Sequence, residues 1–134
     1  KRKASNRLLQ EKSITLKPRE NYFLRCNWVD IPPVGTAFMH THKGPGIRYL
    51  LNGGFTVETA GKKSIICSGQ SWFEAGSGPV LAFSPGHKPG HFCRVMVLPR
   101  SLLGENSITY VKPEDKEKLK LQGYATFIDE HITK

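Results

Sequence analysis

The 134-residue sequence lacks any apolar run long enough to cross a bilayer. Stretches such as Val95 to Leu98 fall far short of the about 20 residues that a spanning helix needs. It also lacks a C-x-x-C pair, which excludes a zinc ribbon or a dithiol redox motif. Its three cysteines, Cys26, Cys67 and Cys93, cannot all pair within one chain. Each lies in an apolar, strand-like run, where a free thiol behaves as a small buried hydrophobe. Unpaired thiols point to a reducing compartment, so a cytoplasmic location is expected. P-loop, dinucleotide fingerprint, G-x-S-x-G elbow and H-E-x-x-H helix are all missing, as is any solenoid-length repeat. The chain starts at Lys1 rather than Met, so the sequence leaves open what preceded it.

Acidic residues are scarce, with 11 Asp and Glu against 20 Lys and Arg, a net charge of +9. The excess is uneven. Residues 1–20 hold seven basic and two acidic side chains, residues 21–111 eight and four, and residues 112–134 five of each. More than half of the excess therefore sits in a polar leader. This reads as a solvated arm over residues 1–12 and disfavours a nucleic-acid partner.

What is abundant is turn chemistry: 13 Gly and nine Pro punctuate a chain that is 38% hydrophobic. Short alternating runs lie between them. Strands are predicted at Ser13 to Leu16, Tyr22 to Ile31, Thr36 to His42, Ile47 to Leu51, Phe55 to Thr59 and Lys63 to Cys67. Further strands are predicted at Ser71 to Glu74, Val80 to Phe83, His91 to Leu98 and Tyr124 to Asp129. Asn52-Gly53-Gly54 predicts a hairpin, because Asn and Gly tolerate positive φ. Strands at this spacing predict an all-β antiparallel sandwich or barrel. One helix is predicted, Pro113 to Leu121, with Pro, Glu114 and Asp115 in its first turn, Lys118 and Lys120 near its end, and Gly123 beyond it. The barrel is expected over residues 13–111. Residues 112–134 are expected to pack a helix and an edge strand against it.

The sharpest chemical feature is Met39-His40-Thr41-His42. Residues i and i+2 of a strand share a face, so His40 and His42 present two imidazoles side by side. Gly46, Arg48 and Leu50 share one face of the next strand. A guanidinium inside an apolar barrel needs a partner. Glu74 in an ion pair meets that need, and so does an acidic ligand held through paired hydrogen bonds. Trp72 and Phe38 are the aromatic candidates for a pocket wall. His87 and His91 flank the turn Pro85 to Gly90 and are expected to face water.

The stretch from Gly35 through HTHKGPGIRYLLNGGFTVET, followed by GQSWFEAG, resembles the two motifs of the cupin superfamily. The resemblance covers about Asp30 to Pro99. It implies a jelly-roll barrel, a ligand or metal site at the histidines, and a homodimer through edge strands. His40 and His42 occupy the first two ligand positions of that family. Its Glu falls at Gly46 or Ile47, and its third His falls near Val80, none of which can ligate through a side chain. Glu74 is the substitute that would complete a metal set with His40 and His42, for one divalent ion (iron, manganese, nickel or zinc), weakly held or absent. Two functions are expected from this site. One is binding of a small polar or acidic molecule at Arg48, His40, His42, Trp72 and Phe38. The alternative is a metal-dependent oxygenase or isomerase acting on a small organic substrate.

Overall fold

The computed structural model describes residues 5–133, so the first four residues of the expected arm lie outside it. Ten strands follow in order: β1 (Tyr22–Ile31), β2 (Thr36–His42), β3 (Gly46–Asn52), β4 (Gly54–Thr59), β5 (Lys62–Cys67), β6 (Ser71–Glu74), β7 (Val80–Phe83), β8 (Gly90–Pro99), β9 (Ile108–Tyr110) and β10 (Gly123–His131). They build two five-stranded sheets, β10-β1-β8-β3-β6 and β5-β4-β7-β2-β9. Every pairing is antiparallel, as the all-β jelly-roll expectation requires. Among the described residues no helix is long and apolar enough to cross a membrane.

Five expectations need correction. Ser13 to Leu16 forms no strand, because its alternation has no buried face to hold it: only Leu16 is partly covered. The Asn52-Gly53-Gly54 turn closes no hairpin. It carries the chain from one sheet to the other, since β3 pairs with β8 and β6 whereas β4 pairs with β5 and β7. Gly53 (φ +88°) lies so close to the Pro89 carbonyl that a Cβ there would stand 2.7 Å from the oxygen. The expected helix at Pro113 to Leu121 reduces to a 3-10 turn, Pro113–Lys116. Leu119 and Leu121 stay exposed, so the segment has no apolar stripe to bury, and nine residues cannot hold a helix alone. β9 was not expected, because three residues carry too little periodicity to be seen. Cys67 is exposed rather than buried, on the edge strand β5.

The inward side chains of the first sheet change character along each strand. In β1 they run Phe23, Arg25, Asn27, Val29, Ile31, and all five are buried. One apolar cluster contains Val29, Ile31, Leu50, Phe55 and Phe92, and another contains Phe23, Met96 and Leu98. A polar belt therefore crosses the barrel between two apolar ends. Arg25 belongs to its outer part. Its guanidinium grips Asp129 of β10 twice, at 2.9 and 3.1 Å, and donates to the Glu105 carbonyl at 2.7 Å. That grip ties the last strand to the sheet.

Candidate functional site

The belt is set by register. Asn27 of β1 stands opposite Arg94 of β8, Arg94 stands opposite Arg48 of β3, and Arg48 stands opposite Trp72 of β6. Two guanidiniums are thus direct cross-strand neighbours inside a barrel, an arrangement that repels unless something compensates it. His40 and His42 on β2 belong to the other sheet and are 6% exposed each. Their rings meet edge to face with centroids 4.9 Å apart.

Glycines let the parts approach. A Cβ on Gly46 would lie 2.7 Å from Met96 and 3.1 Å from Nη1 of Arg48. The bare backbone there gives the guanidinium room to fold back and donate to the Gly46 carbonyl at 2.8 Å. Gly76 (φ +94°) packs on Gly44, and its carbonyl accepts the His42 amide at 2.8 Å. The end of β2 is held from the other side by the Ser107 carbonyl, which accepts the Lys43 amide.

Each buried polar group has a traceable state. His40 Nδ1–H donates to the Phe38 carbonyl at 2.6 Å. His42 Nδ1 and Ser107 Oγ share a hydrogen bond at 2.9 Å, and Ser107 Oγ also reaches Met96 Sδ at 3.7 Å. The His40 ring therefore carries its lone pair on Nε2. Burial pushes the His42 pKa down to about 2, helped by the charges of Arg48 and Arg94. Burial also lowers that of His40, against the opposing pull of the Phe38 carbonyl and Glu74. Both imidazoles are neutral at pH 7.

Arg48 forms an ion pair with Glu74, Nη2 to Oε2 at 2.8 Å, with both side chains buried. The pair is close but poorly aligned, so Nη2 has no hydrogen-bond partner. Glu74 Oε1 accepts from Trp72 Nε1 at 2.9 Å. Arg94 donates Nε–H to Asn27 Oδ1 at 2.7 Å and faces the Tyr124 ring at 5.4 Å, with no carboxylate within ion-pair reach among the described residues. Burial, then its Arg48 neighbour, pull its pKa down to about 10. A second orphan donor, Nε2 of Gln122, is buried beside this belt.

His40, His42, Arg48, Trp72 and Glu74 line one chamber of about 30 Å³, closed by Gln122 and Tyr124 from the C-terminal segment. Five of the six residues singled out in the sequence thus come together. Phe38 does not line the chamber. Its ring lies under Lys118 Nζ, 4.8 Å away, and it serves the site through its carbonyl. His91 faces outward and binds Asp30 through Nδ1 at 2.5 Å. Arg94, Ser107 and Gln122 were missed. Arg94 had a signal, an arginine in the inward series Gly90, Phe92, Met96, Leu98. Gln122 had none, since only the returning chain brings it to the barrel mouth.

The donor set does not fit a resident metal ion. Among the described residues no three His, Cys, Asp or Glu side chains converge on a common point. Glu74, the third candidate, is turned to Arg48 and Trp72.

No protein-family model matches the sequence, and no curated protein matches it. Solved structures do. An oxalate oxidase in complex with the substrate analogue glycolate superposes with a TM-score of 0.56 at 18% identity, over 66% of this chain and 46% of that one. A DMSP lyase from Ruegeria pomeroyi gives 0.56 at 21% identity, over 68% of this chain and 44% of that one. The chain thus spans less than half the length of these two. An RmlC-like cupin from Shewanella frigidimarina gives 0.52 at 15% identity, over 69% of this chain and 96% of that one. At such identities the likeness is one of fold, and it agrees with the two-sheet topology and the H-x-H pair on β2: the chain folds as a cupin.

Proposed function

We propose that the barrel binds a small organic acid, preferably a hydroxy acid, without a resident metal. The observation that supports this is the cross-strand pair of a buried Arg48 and a half-buried Arg94, both lining the chamber with Glu74 as its one carboxylate. A ligand carboxylate supplies the missing negative charge. It also gives an acceptor to the orphan donor Gln122 Nε2, which costs free energy while unpaired, and a better-aligned acceptor to Arg48 Nη2, whose contact with Glu74 lies outside hydrogen-bond geometry. Neutral His40 asks for the reverse, since its lone pair on Nε2 accepts a hydrogen bond from a hydroxyl. A carboxylate with a neighbouring hydroxyl satisfies both sets. The glycolate bound by the oxalate oxidase of similar fold is such a molecule. The alternative of a metal-dependent enzyme lacks a third ligand.

Calorimetric titration with glycolate and with ethylene glycol tests the reading. The acid should bind and the diol should not. Arg94→Gln, which strands no carboxylate, should weaken glycolate at least about tenfold, as loss of a charge-assisted hydrogen bond does. Arg48→Gln should weaken it further. No binding of glycolate, or unchanged affinity in both folded variants, overturns the reading. A homodimer through β10 belongs to the same proposal. That strand is an edge, and its Phe127 and Ile128 are 62% and 48% exposed.

A further inference from the structure

We infer that the ligand carries a second anionic group, held outside the chamber in a cationic vestibule. This rests on the reading that the chamber binds an acid. The chamber holds about 30 Å³, room for a carboxylate head and little more. Any larger ligand body must lie outside. The space it would enter is a cavity of about 290 Å³ that shares His42, Arg94, Ile108 and Tyr124 with the chamber.

The vestibule has one sign of charge. Arg94, Lys116 and Lys120 line it together with the hydroxyl-bearing Tyr110 and Tyr124, and no Asp or Glu does. Of the acidic residues at the adjoining turn, Asp115 is paired with Lys118, and Glu114 and Glu117 are exposed and do not line the cavity. Lys120 is fixed rather than loose. Its Nζ donates to the carbonyls of Asp115 and Lys116 and lies 4.6 Å from the Tyr110 ring centre. Carbonyls and a ring orient the ammonium but leave its charge uncancelled. Lys116 is exposed at the rim.

The two spaces therefore adjoin across His42, Arg94, Ile108 and Tyr124, with donors at both ends, and the proposed ligand spans them past the Tyr124 side chain. At the inner end stand the buried, unpartnered Nε2 of Gln122 and the Nη2 of Arg48, which contacts Glu74 without hydrogen-bond alignment. At the outer end stand two ammonium groups. Arg94 lies between them, and its Nη groups make no hydrogen bond to the protein among the described residues. A compact dianion fits this path: a hydroxy dicarboxylate or a phosphorylated hydroxy acid, with one head inside and the second acid at the lysines. Low-dielectric walls around a cleft of one sign concentrate such a ligand and raise its rate of entry.

Malate and 2-hydroxybutyrate make the test, because both have four carbons and a 2-hydroxy acid head but only malate has the second carboxylate. Malate should bind about tenfold tighter at low ionic strength, and its advantage should shrink with added salt. Lys116→Gln, at an exposed position, should reduce that advantage about threefold by weakening malate more than 2-hydroxybutyrate. Equal affinities for the two acids, or a Lys116→Gln change that weakens both alike, overturns the inference while leaving the acid-binding reading intact. If neither acid nor glycolate binds, the reading itself fails and the vestibule proposal falls with it.

Discussion

Acidification tests the buried belt more directly than any single substitution. His40 and His42 both have pKa values held below the ordinary value of 6.5 by burial. Groups of this kind contribute stability that is complete above the unfolded pKa and is lost as the pH falls below it, because the unfolded chain takes up protons that the folded chain refuses. The loss continues until the folded pKa is reached, and for His42 that lies at about 2. Arg48 and Arg94 face both rings and stay charged throughout; Glu74 faces His40 and partly favours its protonation.

Between pH 7.5 and pH 5.5 His42 should cost about 1.4 kcal/mol, and His40 adds to the loss in the same direction. For a chain of this length the His42 part alone lowers the melting midpoint by about 5 °C. Urea unfolding followed by the fluorescence of Trp28 and Trp72 at the two pH values measures it. His42→Asn keeps a hydrogen-bonding amide near the Nδ1 position for Ser107 and should lose about 1.4 kcal/mol less over the same interval. The double variant His40→Asn, His42→Asn should be nearly flat. The reasoning is refuted if the double variant loses as much as the natural protein, or if the natural protein loses less than about 1 kcal/mol.

Glu74→Gln leaves a guanidinium buried without its carboxylate and should destabilise the protein by about 3–5 kcal/mol in urea. Adding Arg48→Met in that background should recover most of the loss, and an unaltered loss would show that the pair is not coupled. Dialysis against a chelator should leave both the urea midpoint and glycolate affinity unchanged. A drop in either on chelation, reversed by one divalent metal, would favour the metal-dependent alternative.

The fold was legible because its information is local. Alternation along β1, β2, β3 and β8 marks one buried face, and the turn residues mark where each strand stops. Gly61 (φ +73°) closes the β4–β5 hairpin in left-handed conformation, as its residue type suggests, and Ala60 (φ +50°) adopts the same region without such a signal. Local signals failed where the chain's partner decides the outcome. Asn52-Gly53 has hairpin chemistry, yet which sheet the next strand joins depends on β7 and β5. The segment after Pro113 has helix-capping chemistry without an apolar face, so its conformation was left to the carbonyls that Lys120 binds. In the site, the members on β2, β3 and β6 could be read from i, i+2 spacing. Gln122 and Ser107 could not, because loops carry no period.

The glycine at position 46 connects the sequence pattern to the electrostatics. The carboxylate of the cupin motif falls at Gly46 or Ile47 in this chain; Gly46 has no side chain, and two residues on from it an arginine folds back into the space. The exchange changes the charge of the barrel interior by two units, a negative group lost and a positive one gained. A divalent metal brings the same sign of charge to such a chamber, but it needs deprotonated ligands around it. Arg48 needs none, and it stays charged in a dry site where an ammonium would shed its proton more readily. With Arg94 beside it, the chamber holds two fixed positive charges against one carboxylate, and neutral imidazoles that cannot offset the difference. An anion in the chamber lowers the energy of that arrangement. A neutral molecule of the same shape does not, and this is why charge rather than size should sort the compounds that bind.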